Sequence, residues 1–419
     1  MEVITQKQFD HIIKKHGMFI TGTTGGERCV LKFKDMTGLD FDKSDLSHAD
    51  FSGSKLDSAN LSGSTFTSAN FFACDLYKAN MSAADFVRCD FRGANIMGAN
   101  LSKANFGRAD FRQGYIMNYD NEDADSQWGQ KGTTEFSGSL VRETNMTGIM
   151  AQYSDFSDSN LQGVIMQEAN LTEANLSGAN LARTDLSGSN LSRAQLEAAL
   201  VEDTILDGVV GDISTLREVE EKLRNKEQID RKSISIGKLV EAHSKWIETA
   251  GKEGKQLNLD GYNLNHEQDM SKYPLTMITA KDCNFIGLNL DGASMQSSKL
   301  DKSDFQDCSA RMADFRGSSF KDATFKRADL RDSNFGPLVV NHGDKELSQP
   351  VNLSGAKMGF ANLENANFKN ANLSNVDFSH ATLCGADFTG SNLDGANFSD
   401  TDLKGAKVQG TILEKKKKA

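Results

Sequence analysis

The chain has 419 residues, a net charge of −11 and 38% hydrophobic residues, enough apolar material to exclude a wholly disordered protein. No apolar run approaches the ~18 residues of a membrane-spanning helix, and Met1 to Phe9 has no signal-peptide core, so a cytoplasmic location is expected. No segment is strongly basic, which argues against direct nucleic-acid binding. The acidity is concentrated instead: residues 119–210 alone carry a net −11.

The first element is a helix. Phe9, Ile12, Ile13, His16, Phe19 and Ile20 fall on one face at helical spacing, and Thr5 with Gln8 offers a capping box. Gly22 and Gly25 follow and read as a C-terminal turn rather than a phosphate loop, because no Lys-Ser/Thr pair closes the glycine stretch.

From Leu31 a large apolar residue recurs every five positions up to Ile116. The pattern returns from Phe136 to Leu206, from Phe285 to Phe335 and from Leu353 to Leu413, with lapses at Ala151 and Ala310. These 57 pentads cover about two thirds of the chain and take 20 of its 25 Phe. Two residues before each large one sits a small one, and between them lies mostly Asp or Asn. Period five fits neither a helix nor an ordinary strand. It fits a three-residue strand edge followed by a two-residue corner, with small and large residues inward and Asp/Asn outward. Four edges and four corners close a square coil of twenty residues. The three Pro (Pro274, Pro337, Pro350) lie outside the regular blocks, as a residue without an N–H must. Outward residues are expected to tolerate change, with Asp90→Ala costing under about 0.5 kcal/mol against roughly 3–5 kcal/mol for the inward Phe91→Ala.

The unit reads Ala-Asp/Asn-Leu/Phe-x-x and resembles the pentapeptide-repeat family, whose motif is A(D/N)LXX. The resemblance implies an all-β solenoid, a right-handed quadrilateral β-helix, and no catalytic residues. Past the first block series, Ile213, Leu216, Val219 and Leu223 predict a linking helix over 212–228. Ile236, Leu239, Val240, His243, Trp246 and Ile247 then repeat the N-terminal helix position for position, shifted by 227. The plan is therefore two tandem copies: a helix cap (1–30), a β-helix (31–210) broken by a loop at 117–135, a helical linker and second cap (211–256), a second β-helix (257–414) broken at 336–352, and a basic tail (415–419). The first interruption spans one coil length, twenty residues from Ile116 to Phe136, so the square register survives it. The second, eighteen from Phe335 to Leu353, must leave the coil.

Few residues suggest chemistry. Five of six Cys take the small inward position as small hydrophobes, no metal spacing appears, and no nucleophile–base constellation is present, so neither an enzyme nor a cofactor is expected. His16 and His243, with Phe19 and Trp246 beside them, are expected to tie the caps to the coils beneath. The candidate partner contact is the loop, with Asp120, Glu122, Asp123, Asp125 and Trp128. No capping element is expected after Leu413, so Val408, Ile412 and Leu413 would present an apolar open end suited to a two-fold homodimer. The favoured function is a non-catalytic protein-interaction scaffold. The alternative is implied by the resemblance, since some family members mimic duplex DNA and protect type II topoisomerases such as DNA gyrase.

Overall fold

The computed structural model describes residues 1–41, 43–115, 131–212, 214–215, 236–262, 264, 269–342 and 345–417. The chain divides into two compact units, Met1–Glu227 and Gln228–Ala419. Among the described residues, no helix is long and apolar enough to cross a membrane.

One pentad shows why the sequence coils. Leu76 and Ala79 are fully buried, and Tyr77 and Lys78 form the corner between them. The Ala79 N–H donates to the Leu76 carbonyl at 3.0 Å, and Lys78 has φ of 54°, which makes the corner a type II turn. The Leu76 N–H then donates to the Asn95 carbonyl of the next coil at 2.7 Å, and the Asn80 N–H to the Ala59 carbonyl of the preceding one at 2.9 Å. Parallel bridges join each outward residue to the one twenty positions on, as in Asn60–Asn80–Asn100, and four such bridges complete a turn.

Asp and Asn at the outward positions do more than face water. The Asn80 Oδ1 accepts the Ser82 N–H at 3.3 Å and the Ser82 hydroxyl at 2.8 Å, and its Nδ2 donates to the Asn60 Oδ1 below at 3.0 Å. Asp90 accepts the Arg92 N–H at 3.1 Å. The expectation that these residues tolerate change is corrected here: each caps the corner that follows it, a role that alternation alone does not reveal.

In the first unit, strand β1 (Glu2–Val3) pairs in parallel with β2 (Lys34–Asp35) and leads into helix α1 (Gln6–Ile20), which carries the complete Thr5–Gln8 capping box. Gln6 stands in for a peptide unit of an absent coil. Its Nε2 donates to the Asp40 carbonyl at 2.8 Å, and its Oε1 accepts the Asp40 N–H at 2.9 Å. Phe9 is fully buried and packs edge-on against Phe41, with centroids 4.5 Å apart. The Phe columns follow, with Phe66–Phe86–Phe106 stacked at 4.9 Å steps.

The first interruption leaves the stack. Strand β3 (Gly114–Tyr115) pairs antiparallel with β4 (Lys131–Gly132), and the bridges jump across it, Asn95 to Glu135 and Asp110 to Met150. The square register survives the segment, as its twenty-residue span predicts, but the segment is not itself a coil of the stack: the chain exits and returns at one corner. A segment without large residues at five-residue spacing has nothing to fill a coil's interior. Beyond the last coil, Asp212 accepts the Thr215 N–H at 3.0 Å. Residues 216–235, which hold most of the helix expected over 212–228, lie outside the described residues.

The first described element of the second unit is helix α2 (Ile236–Glu248). Its core runs continuously from Val240 and Leu257 to Val408. The second interruption is an antiparallel hairpin, β5 (Leu338–His342) with β6 (Lys345–Gln349). Pro337 and Pro350 stand at its two feet. Bridges across it join Ser319 to Asn352 and Asn334 to Asn367. The last described element is a short helix, α3 (Ile412–Lys417), where the sequence suggests no capping element. The Gly410 N–H donates to the Glu414 carboxylate at 2.9 Å.

Candidate interaction surfaces

The two caps are built alike. His16 and His243 are fully buried. The His16 Nδ1 accepts the Cys29 N–H at 2.9 Å, and its Nε2 lies 3.1 Å from the Ser47 carbonyl. The His243 Nδ1 accepts the Leu257 N–H at 3.1 Å, and its Nε2 lies 3.0 Å from the Thr276 carbonyl. Phe19 stacks on His16 and Trp246 on His243, at 5.6 and 5.7 Å between centroids. The chain then turns back on each helix through a matching bond, from the Glu27 N–H to the Lys15 carbonyl at 3.1 Å and from the Lys255 N–H to the Ala242 carbonyl at 3.0 Å.

Asp120, Glu122, Asp123, Asp125 and Trp128 lie outside the described residues. At the foot of that loop, Glu135 bridges Asp155 in the following coil. Burial, with the Asp155 charge added, pushes the Glu135 carboxyl above the usual carboxylate range. The second excursion exposes Val339 and Leu347, a pair the five-residue periodicity cannot indicate.

The C-terminal residues separate. Val408 is buried in the core, Ile412 is 39% exposed, and Leu413 packs partly against the core. Val408 therefore does not belong to an exposed end: it is the large inward residue of the last coil, and α3 follows it. Phe398 and Leu403 of that coil are only partly buried. Among the described residues, the N–H groups of Leu393, Phe398 and Leu403 meet no carbonyl of a following coil, whereas the Phe388 N–H donates to Lys407 at 2.8 Å.

The motif that recurs in this geometry is also matched by family models. The model for "pentapeptide repeats (8 copies)" matches residues 35–71, 74–113, 165–203, 352–390 and 385–415, and the model for a "pentapeptide repeat region" matches 268–335; together they cover more than half of the chain. The chain belongs to the pentapeptide-repeat family. No curated protein sequence matches it. Among solved structures it is similar to full-length QnrB1, a plasmid-mediated fluoroquinolone resistance protein, at 16% identity over 46% of this chain and 96% of that one, TM-score 0.17. It is also similar to HetL, a pentapeptide-repeat protein involved in heterocyst differentiation regulation in Nostoc sp. strain PCC 7120, at 19% identity over 95% of both chains, TM-score 0.14. A third, from the Arabidopsis thaliana thylakoid lumen, shares 28% identity over 26% of this chain and 63% of that one, TM-score 0.16.

The outward charges of this pentapeptide-repeat chain differ along the first unit. Before the loop, corner arginines fold back on outward aspartates two residues earlier: Arg92 on Asp90 and Arg112 on Asp110, both at 2.7 Å. The second unit repeats the fork at Arg316–Asp314 and Arg331–Asp329, both at 2.6 Å. After the loop, amides and hydroxyls hold the outward Asp155 and Asp185 instead, while Arg193 pairs with Glu173 at 3.1 Å. Asn175 donates to Asp155 at 3.1 Å, and Gln167 and Ser187 donate to Asp185 at 2.6 Å each, which leaves these carboxylates their charge. Cys74 and Cys89 donate their thiols to the Phe51 and Phe66 carbonyls. Burial pushes the Cys29, Cys74 and Cys283 thiols up to about 12, which holds them as inert thiols.

Proposed function

We propose that the protein is a non-catalytic interaction scaffold made of two tandem copies of one plan, a helix cap followed by a pentapeptide-repeat β-helix with one excursion. Tandem duplication is supported by His16–Phe19 and His243–Trp246, which make the same contacts 227 positions apart. The observation that carries the scaffold reading is the pair of excursions, each an antiparallel ribbon leaving a corner of a stack that resumes in register beyond it. A rigid stack fixes the base of each ribbon, as a surface for a protein partner requires. The test is capture by the full chain, compared with variants lacking residues 116–130 or residues 338–349. A partner kept by the full chain and lost by one deletion is expected. Equal capture by all three, with unchanged circular dichroism, would overturn the assignment.

A second reading is favoured by the outward Asp155 and Asp185, which amides and hydroxyls hold where arginines hold Asp90 and Asp110. They would suit a DNA mimic that regulates a type II topoisomerase. A gyrase supercoiling assay with and without a fluoroquinolone tests it, and no effect at micromolar protein ends it. The partly covered last coil, with Phe398, Leu403 and Ile412, further supports a homodimer through the C-terminal coils.

A further inference from the structure

Each cap is tied to its first coil through one imidazole, and the geometry fixes that ring's protonation state. A backbone N–H can only donate, so the His16 Nδ1 that receives the Cys29 N–H at 2.9 Å must present its lone pair. A carbonyl can only accept, so the Nε2 at 3.1 Å from the Ser47 oxygen must carry the hydrogen. His243 meets the same two constraints from Leu257 and Thr276, at 3.1 and 3.0 Å. Both rings are therefore neutral Nε2–H tautomers. A second proton would set an N–H against the Cys29 or Leu257 N–H, and neither ring has exposed surface through which water could solvate the charge.

We propose that His16 and His243 are matched acid-sensitive latches that hold the helix caps on the two units while neutral and release them when protonated. The groups acting on His16 are burial, the Ser47 carbonyl, the Asp45 carboxylate, Arg28 and His48; on His243 they are burial and the Thr276 carbonyl. Burial is the largest in both cases and moves each ring below its ordinary value of 6.5. The sign follows. The folded value lies below the unfolded one, so the latch holds fully above about pH 6.5. It weakens as the pH falls below that value, and the opening constant rises up to tenfold per pH unit until the closed ring itself protonates. α1 is also held by the β1–β2 pair and by the two bonds of Gln6 to Asp40.

The test uses the full chain. Amide exchange at Cys29 and Leu257, corrected for the intrinsic rate, is followed from pH 7.5 to pH 5 in the wild type and in His16→Gln and His243→Gln. Glutamine supplies one acceptor and one donor without titrating. Wild-type protection is expected to fall by up to tenfold per unit below about pH 6.5 at both amides, and the glutamine variants are expected to stay flat. Constant wild-type protection, or the same slope in the variants, overturns the proposal. If glutamine fails to hold a cap at pH 7.5, imidazole titration of the wild type by NMR decides. Both rings must titrate below 6.5, and titration at or above it overturns the latch.

Discussion

Replacing Phe91 by alanine empties one step of an aromatic column. Phe91 has no exposed surface. Its ring stacks on Phe71 at 4.9 Å and on Phe111 at 5.2 Å, and meets Phe86 and Phe106 edge-on at 5.5 and 5.7 Å. Burial loss plus the cavity cost roughly 3–5 kcal/mol for such a change. Backbone bonds pin the strands above and below, so collapse cannot recover much of it. The companion change, Asp90→Ala, removes the acceptor of the Arg92 N–H and one half of a half-exposed ion pair. The turn bond contributes about 0.5–1.5 kcal/mol and the pair at most about 1 kcal/mol, so this cost is about 1–2 kcal/mol. Because repeats couple only to their neighbours, the effect of Phe91→Ala should concentrate between residues 70 and 111. Amide exchange there should accelerate by at least about a hundredfold, with the 353–403 coils unchanged. Urea midpoints and exchange read by mass spectrometry measure both. A Phe91→Ala shift no larger than that of Asp90→Ala would refute the inward–outward assignment.

Gly254→Ala should detach the second cap. The added Cβ meets the Ala242 carbonyl oxygen at 2.2 Å and the Trp246 nitrogen at 2.7 Å, both backbone, whereas Gly163→Ala, at φ of 68°, meets nothing within 4 Å. The second change should cost only the left-handed backbone, about 1 kcal/mol, and the first clearly more, with a change in Trp fluorescence; equal midpoints would refute the contact. A thiol reagent should label Cys384 alone in the native protein, since the other five Cys are buried, and all six after denaturation. Burial and then Asp402 raise the Cys384 thiol, so its rate should climb with pH; comparable labelling of Cys74 would contradict the packing. Light scattering should give twice the chain mass for the wild type and the monomer mass for Leu403→Lys with Ile412→Lys. A wild type that stays monomeric at tens of micromolar would end the dimer proposal.

The coil was legible because every fifth residue must fill its interior, and Leu or Phe at those positions leaves no other face for them. The corners were legible in place, as the two residues after each large one, but not in residue type. The left-handed position is held by Lys78, Arg88 and Glu173 as well as by glycines, because bonds to the neighbouring coil, rather than side-chain preference, impose it. Glu2–Val3 and the Gln6 amide escaped notice since two residues carry no periodicity and a lone Gln has no signature. The last six-residue helix escaped because Ile412–Lys417 reads as a charged tail. The paired histidines could be found from the 227-residue shift, but their tautomer needed the Cys29, Ser47, Leu257 and Thr276 backbone positions. The acidic loop residues gave a composition and no geometry.

The two excursions differ in length, yet the stack continues past both: Asn145 Nδ2 meets Asn105 Oδ1 at 3.0 Å across 40 positions, and Asn367 Nδ2 meets Asn334 Oδ1 at 2.9 Å across 33, where uninterrupted coils span 20. Each corner thus works as a socket, indifferent to how much chain is plugged into it. Cargo spliced at a corner facing open space, such as Gly163, would be carried at an address set by the coil number, in steps of about 4.8 Å along a unit. Insertions could lengthen, shrink or exchange without disturbing their neighbours, so such a chain can acquire new surface features one socket at a time while its interior stays the same.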